Sequence, residues 1–174
     1  MIEVEVESLL EAAQERAEAL GALDKSMRGM QASQVGALGE LVGIRLLRER
    51  KVLFTEVFST QYDVAFIQEG RSRTMEFKTK ERTVPPEPHF DCTIPLYNHE
   101  HQRPDYYFFI SLLSNGKSDD INRFTKAYVL GVITLGELDS VGVRWDAGQV
   151  DKRNDWSPTI DCINVKVSDL TPLG

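Results

Sequence analysis

Cysteine and histidine are scarce in this chain: its 174 residues hold two cysteines, Cys92 and Cys162, and three histidines, His89, His99 and His101. Two thiols cannot build the disulfide framework that staples small secreted domains. With no apolar leader and no long apolar run, the sequence reads as a reduced cytoplasmic protein without signal peptide or membrane span. Internal repeats and low-complexity linkers are also missing. At this length and 41% hydrophobic content the expectation is a single domain, residues 1–174, around one core. Zinc finds little support, because the spacing His89-x2-Cys92-x6-His99-x-His101 fits no common structural zinc pattern.

Positive charge is short overall, at a net −7, which argues against a nucleic-acid partner until its distribution is considered. Residues 1–24 carry seven acids (Glu3, Glu5, Glu7, Glu11, Glu15, Glu18, Asp24) against one base, Arg16, a local −6 that leaves −1 for the other 150 residues. From Lys25 to Arg82 there are eleven bases and seven acids, with Arg71, Arg73, Lys78, Lys80 and Arg82 close together. That run is a candidate phosphate-contacting strip. The acidic segment, about residues 1–24, reads as helical. Ser8 and Glu11 suit a capping box, and Leu9 or Leu10, Ala13, Ala17 and Leu20 form an apolar stripe ending near Gly21. Ile2, Val4 and Val6, alternating with Glu, would also suit a short edge strand.

The residues with the most chemical content lie between Tyr62 and Lys78. Tyr62–Ile67 (YDVAFI) and Thr74–Thr79 (TMEFKT) are aromatic and β-branched, and Gln68-Glu69-Gly70-Arg71 between them has turn composition. A hairpin closed by Ile67 opposite Ser72 brings Asp63 opposite Glu76, so two carboxylates become cross-strand neighbours. Glu76 and Lys78 share one face of their strand, while Met75, Phe77 and Thr79 face the other way. Two carboxylates and an ammonium so placed can gather a divalent metal, a water and a scissile phosphate. Glu49-Arg50-Lys51 repeats the Glu-x-Lys tripeptide, but at what reads as the end of a helix.

That helix is expected over Ser33–Lys51, with Ser33 as N-cap and Val35, Leu38, Val42 and Leu46 along one stripe. Glu40 is the acid of its apolar part and stands among Gly36, Gly39 and Gly43. Each helical glycine costs about 1 kcal/mol against Ala, so close packing on a sheet is the expected reason for them.

Glu40 on a helix, then Asp63 on a strand, then Glu76-Phe77-Lys78 on the next, resembles the PD-(D/E)xK nuclease superfamily. The Gly-x-x-Gly-Glu run ending at Glu40 is similar to the Glu-bearing helix of Holliday-junction-resolvase-like members. The likeness in motif terms covers roughly Ser33–Lys80, and Tyr62 stands where the superfamily's name has Pro. The resemblance implies an α/β fold with a restriction-endonuclease-like core, a mixed central β-sheet flanked by helices. It also implies hydrolysis of DNA phosphodiesters. In such a site Asp63, Glu76 and the Phe77 backbone carbonyl would hold Mg²⁺ or Mn²⁺, Glu40 would hold a second metal or a bridging water, and Lys78 would position the attacking water.

Downstream, Thr83–Pro88 reads as a Pro-rich crossover, and Pro95–Arg103 (PLYNHEHQR) as a border of the substrate groove. There Tyr97 could stack on a base, and His101 or Arg103 could meet phosphate, beside Arg73, Lys80 and Arg82. Asp105–Leu113 and Ala127–Ile133 read as central strands, Thr134 with Glu137 as a capping box, Trp145 and Trp156 as clamps, and Ile160–Val167 as a last edge strand. The expectation is a Mg²⁺-dependent endonuclease, structure-selective or weakly specific, for which a homodimer would pair two cuts on opposed strands. An exonuclease of the same fold and a non-catalytic DNA-binding or assembly subunit with a vestigial site are the alternatives.

Overall fold

The alternation in Arg71–Arg82 organises the molecule, because this strand is buried on both sides by different partners. The computed structural model describes residues 1–20, 30–57, 59–116, 118–152 and 155–173. In chain order its elements are β1 (Ile2–Glu5), α1 (Leu10–Leu20), α2 (Met30–Glu49), β2 (Phe54–Glu56), β3 (Val64–Gln68), β4 (Arg71–Arg82), β5 (Asp91–Pro95), α3 (Leu96–His101), β6 (Tyr106–Ser114), β7 (Phe124–Thr134), α4 (Leu135–Val141), β8 (Val143–Trp145) and β9 (Cys162–Lys166). Among the described residues, six strands form one sheet in the order β1-β7-β6-β4-β3-β2, and three form a smaller one, β5-β9-β8. The large sheet is mixed. β4 and β6 run parallel, from Met75↔Tyr106 to Arg82↔Leu113, and the other neighbours are antiparallel. A parallel pair needs a long crossover, which residues 83–105 supply together with β5 and α3.

Each face of the large sheet buries its own core. Met75 and Phe77 of β4 with Phe108, Ile110 and Leu112 of β6 pack beneath Leu38 and Val42 of α2 and Ala13 of α1. Tyr107 and Phe109 point the other way, into a second core with Cys92, Ile94, Val165 and Leu138 from the small sheet and α4. Burial on both faces explains why the β6 sequence is almost continuously apolar. No helix among the described residues is long and apolar enough to cross a membrane.

The β3–β4 hairpin has the expected register, with Ile67 opposite Ser72. Its loop is tighter than the composition suggested: pairing continues to Gln68↔Arg71, and Glu69 (φ 52°) and Gly70 (φ 74°) alone make the turn. Positive φ at both positions is the twist-matched two-residue turn, and glycine takes the second place without strain. Thr134 and Glu137 form the expected reciprocal cap of α4, and Trp145 and Trp156 meet edge to face at 5.7 Å.

Three expectations are corrected. Helix α2 begins at Met30 rather than at a Ser33 cap, because Met30, Gln31 and Ala32 are good helix formers, and Ser33 is buried within it. The segment 160–167 yields β9, which is the middle strand of the small sheet and not an edge, since β8 pairs on its other side. The N-terminal helix starts later than a Ser8 capping box would place it: Ser8 lies in a 3-10 turn over Glu7–Leu9 and α1 begins at Leu10, after β1, which takes the edge-strand place its alternation suited beside β7, with 21–24 outside the described residues.

The glycines of α2 set its distance from β4. A Cβ at Gly39 would stand 1.8 Å from Thr79 Oγ1 and one at Gly43 would stand 2.4 Å from the Phe77 ring, whereas Gly36 has open space around it. Gly43→Ala should therefore lower the unfolding free energy in urea by about 1–3 kcal/mol through overpacking. Gly36→Ala should raise it by up to about 1 kcal/mol through helix propensity. Equal responses of the two variants would contradict the close approach.

Candidate metal-dependent active site

The site forms where β3 leaves β4. The β3 ladder stops at Val64↔Met75, while on its other side β4 stays paired with β6 as far as Arg82. Asp63 sits at this parting. Its N–H donates to Met75 O at 3.0 Å, and its carboxylate Oδ2 accepts the N–H of Phe77 at 2.7 Å, in place of a further strand residue. The loop before it is tied by Ser59, whose Oγ accepts the N–H groups of Gln61 and Tyr62, and by Val57 N–H donating to Asp63 O at 2.8 Å.

Asp63, Glu76 and Lys78 meet here as their spacing implied. Glu76 is 7% exposed, the charge of Asp63 acts on its carboxyl, and Lys78 Nζ donates to Glu76 Oε1 at 2.7 Å. Burial pushes Glu76 up to about 8, with Lys78 opposing and the Asp63 charge adding to the rise. Burial likewise raises Asp63, against the Phe77 N–H bond that favours its charged form. Glu40 comes from α2 on the opposite face. Burial and then the charge of Asp63 push it up to about 7, opposed by Arg16, whose Nη2 lies 2.7 Å from Glu40 Oε2. The competing Glu-x-Lys copy has no such company: Glu49 ends α2 in an ion pair with Arg45, and Lys51 turns the chain at φ 56°.

Among the described residues, no group of three or more His, Cys, Asp or Glu side chains is gathered tightly enough to hold a metal by itself. The donor set at the parting is smaller: the carboxyls of Asp63 and Glu76, the Phe77 carbonyl beside them, and Glu40 if it exchanges Arg16 for the ion. Asp63 and Glu76, both raised by burial beside Lys78, make a site short of positive charge. Few carboxylates completed by waters suits a hard cation such as Mg²⁺ or Mn²⁺, so the residues fit the group.

The residues expected to contact DNA do not form one strip. Arg73, at the start of β4, pairs with Asp105 at 2.8 Å. Lys80 and Arg82 share the Lys78 face but lie under β5. Lys80 Nζ is 3.3 Å from Thr93 Oγ1, with burial lowering its pKa, and Arg82 Nη2 donates to Asp91 O at 2.7 Å with its guanidinium over Phe90. Arg103 donates to Asp139 at 2.7 Å, whereas Tyr97 and His101 are exposed on α3. The histidines and Cys92 disperse as well. His99 is buried between Tyr107 and Asp139, His89 lies 3.4 Å from Glu87, and the Cys92 thiol is in the second core, where burial pushes it up to about 12.

Two participants escaped the sequence reading. Gln102 accepts from Lys78 Nζ at 2.7 Å through Oε1 and donates to Thr60 O at 2.8 Å through Nε2, so one amide joins the lysine to the loop carrying Asp63. No sequence signal marks it, because both contacts are long-range. Arg16 was marked, as the lone base among seven acids, but its direction was not. No protein-family model matches this chain, and no curated protein matches its sequence.

These carboxyls make stability depend on pH. In the folded chain Glu76 and Glu40 keep protons at pH values where the unfolded chain has lost them. The stabilisation is complete below the ordinary value of 4.5 and is lost as pH rises through about 7 and 8. In EDTA the melting temperature should fall across that interval, Glu76→Gln should flatten the fall, and millimolar Mg²⁺ should offset it. A wild-type profile that coincides with that of Glu76→Gln would contradict the assignment.

Proposed function

We propose that this protein is a Mg²⁺- or Mn²⁺-dependent deoxyribonuclease with a restriction-endonuclease-like core, acting as a structure-selective or weakly specific endonuclease. The observation that carries the reading is the meeting of Asp63, whose Oδ2 accepts the N–H of Phe77 at 2.7 Å, with Glu76 and with Lys78 Nζ, 2.7 Å from Glu76, at the parting of β3 and β4. Asp63, Glu76 and the Phe77 carbonyl would hold the cation, and Glu40 would complete the set. A cation held there would neutralise developing charge on the phosphate and make a nearby water easier to deprotonate. Lys78 has three N–H donors and spends two on Glu76 and Gln102, which leaves one to orient the attacking water. Water oxygen adds to phosphorus and releases one proton to solvent, in line with the departing sugar oxygen, which takes up a proton from solvent as its bond to phosphorus breaks. No Ser, Cys or His nucleophile is needed. A homodimer would set two such sites against opposed strands, and the exposed Leu53 and Ile67 at the β2–β3 edge offer it an apolar surface.

Supercoiled plasmid, a branched junction and linear duplex, each with Mg²⁺ or with EDTA, test the reading. Wild type should cut in Mg²⁺ and stop in EDTA. Asp63→Ala and Lys78→Ala should each lose about 10²–10³ in rate. Shortening from duplex ends alone would mark an exonuclease, and a gel shift without cutting would mark a binding subunit. Cleavage that survives in Lys78→Ala would remove the site from the reaction. Gln102→Leu should lower kcat about tenfold at unchanged KM, as loss of lysine positioning requires.

A further inference from the structure

Helix α1 is the acidic flank of the chain, yet its one basic residue points into the candidate site. Arg16 reaches Glu40 through Nη2 at 2.7 Å and Glu56 through Nη1 at 3.6 Å, and its charge also acts on Asp63. Glu56 already has a closer partner in Arg48 at 2.7 Å, so it does not depend on Arg16 for compensation. About a quarter of the Arg16 side chain, 24%, remains exposed. A guanidinium carries five N–H donors in a planar fork, and these two contacts engage only part of it. Lys78 belongs to the face of β4 that carries the second core, whereas α1 lies on the face of the first. The carboxyls of Asp63, Glu76 and Glu40 are thus bracketed by two cations arriving from opposite faces of the sheet.

Resting on the nuclease reading, we infer that Arg16 is a substrate-binding residue of this site: its guanidinium takes a phosphate oxygen of the DNA backbone. Helix α1 is then part of the active site and not only cover for the first core. Guanidinium geometry matches two phosphate oxygens at once, which a lysine at the same place could not reproduce. The surrounding acids of α1 (Glu11, Glu15, Glu18) repel the rest of the duplex, so the backbone is admitted only where Arg16 stands.

Arg16→Ala and Arg16→Lys in the full chain test this in two arms, cleavage in Mg²⁺ and binding of a short fluorescent duplex in Ca²⁺ across a salt series. Arg16→Ala should raise KM and Kd about tenfold and reduce the slope of log affinity against log salt by about 0.9. Arg16→Lys should restore the slope but only part of the affinity, and it keeps the test readable if the alanine variant folds poorly. An unchanged slope and KM, with only kcat or melting temperature lowered, would overturn the inference and leave Arg16 as a prop for Glu40. If wild type binds and Arg16→Ala flattens the slope while nothing cleaves, the phosphate contact stands and the nuclease reading falls. If wild type neither binds nor cleaves, both fall.

Discussion

The closeness of α2 to β4 is the constraint on which the candidate site depends. Glu40 can stand near Asp63 only because the helix carrying it has no side chain at Gly39, over Thr79, or at Gly43, over the Phe77 ring. The residues it touches, Phe77 and Thr79, alternate along the strand with Glu76 and Lys78, which face the other way. One strand is therefore clamped on its apolar side and carries its charged groups, largely buried, on the other, where β3 parts from it. The glycines weaken the helix as a helix and strengthen its fit to the sheet, a local cost offset by tertiary packing.

Electrostatic balance around that edge is incomplete in a specific way. Three carboxyls are held above their ordinary pKa by burial, and the cations nearest them, Arg16 and Lys78, are shared with other acceptors, Glu56 and Gln102. Elsewhere buried charge is matched more fully: Arg123, 3% exposed, reaches Glu81, Gln34 and the carbonyls of Asp119 and Asp120. The contrast separates a charge that holds the scaffold together from charges left under-compensated in one place, which is the usual mark of a functional site.

Legibility in the sequence followed the range of the forces involved. The β3–β4 register was readable because alternation and turn chemistry are local, and β6 because burial on both faces removes polar residues from a strand. Glu40 was readable through its glycines. The small sheet was not, since β5 and β9 meet only through pairing distant in sequence, and it is this sheet that covers Lys80 and Arg82. Counting bases cannot say which of them a later segment will bury. Gln102 illustrates the same limit from the other side: its side-chain amide acquires its place through Lys78 and Thr60, both distant in sequence.

Pairing of β1 with β7 carries a consequence for how the chain is made. Ile2 finds its partner in Val129, so β1 leaves the ribosome more than a hundred residues ahead of the strand it pairs with. Contacts of such high sequence separation also place the closing of this sheet edge late in folding. A waiting strand is a template for aggregation, and Glu3 and Glu5, alternating with Ile2 and Val4, are the charges that discourage it. Once β7 arrives, Lys126 joins both glutamates, and the residues that guarded the nascent strand become the ion pairs that fasten it.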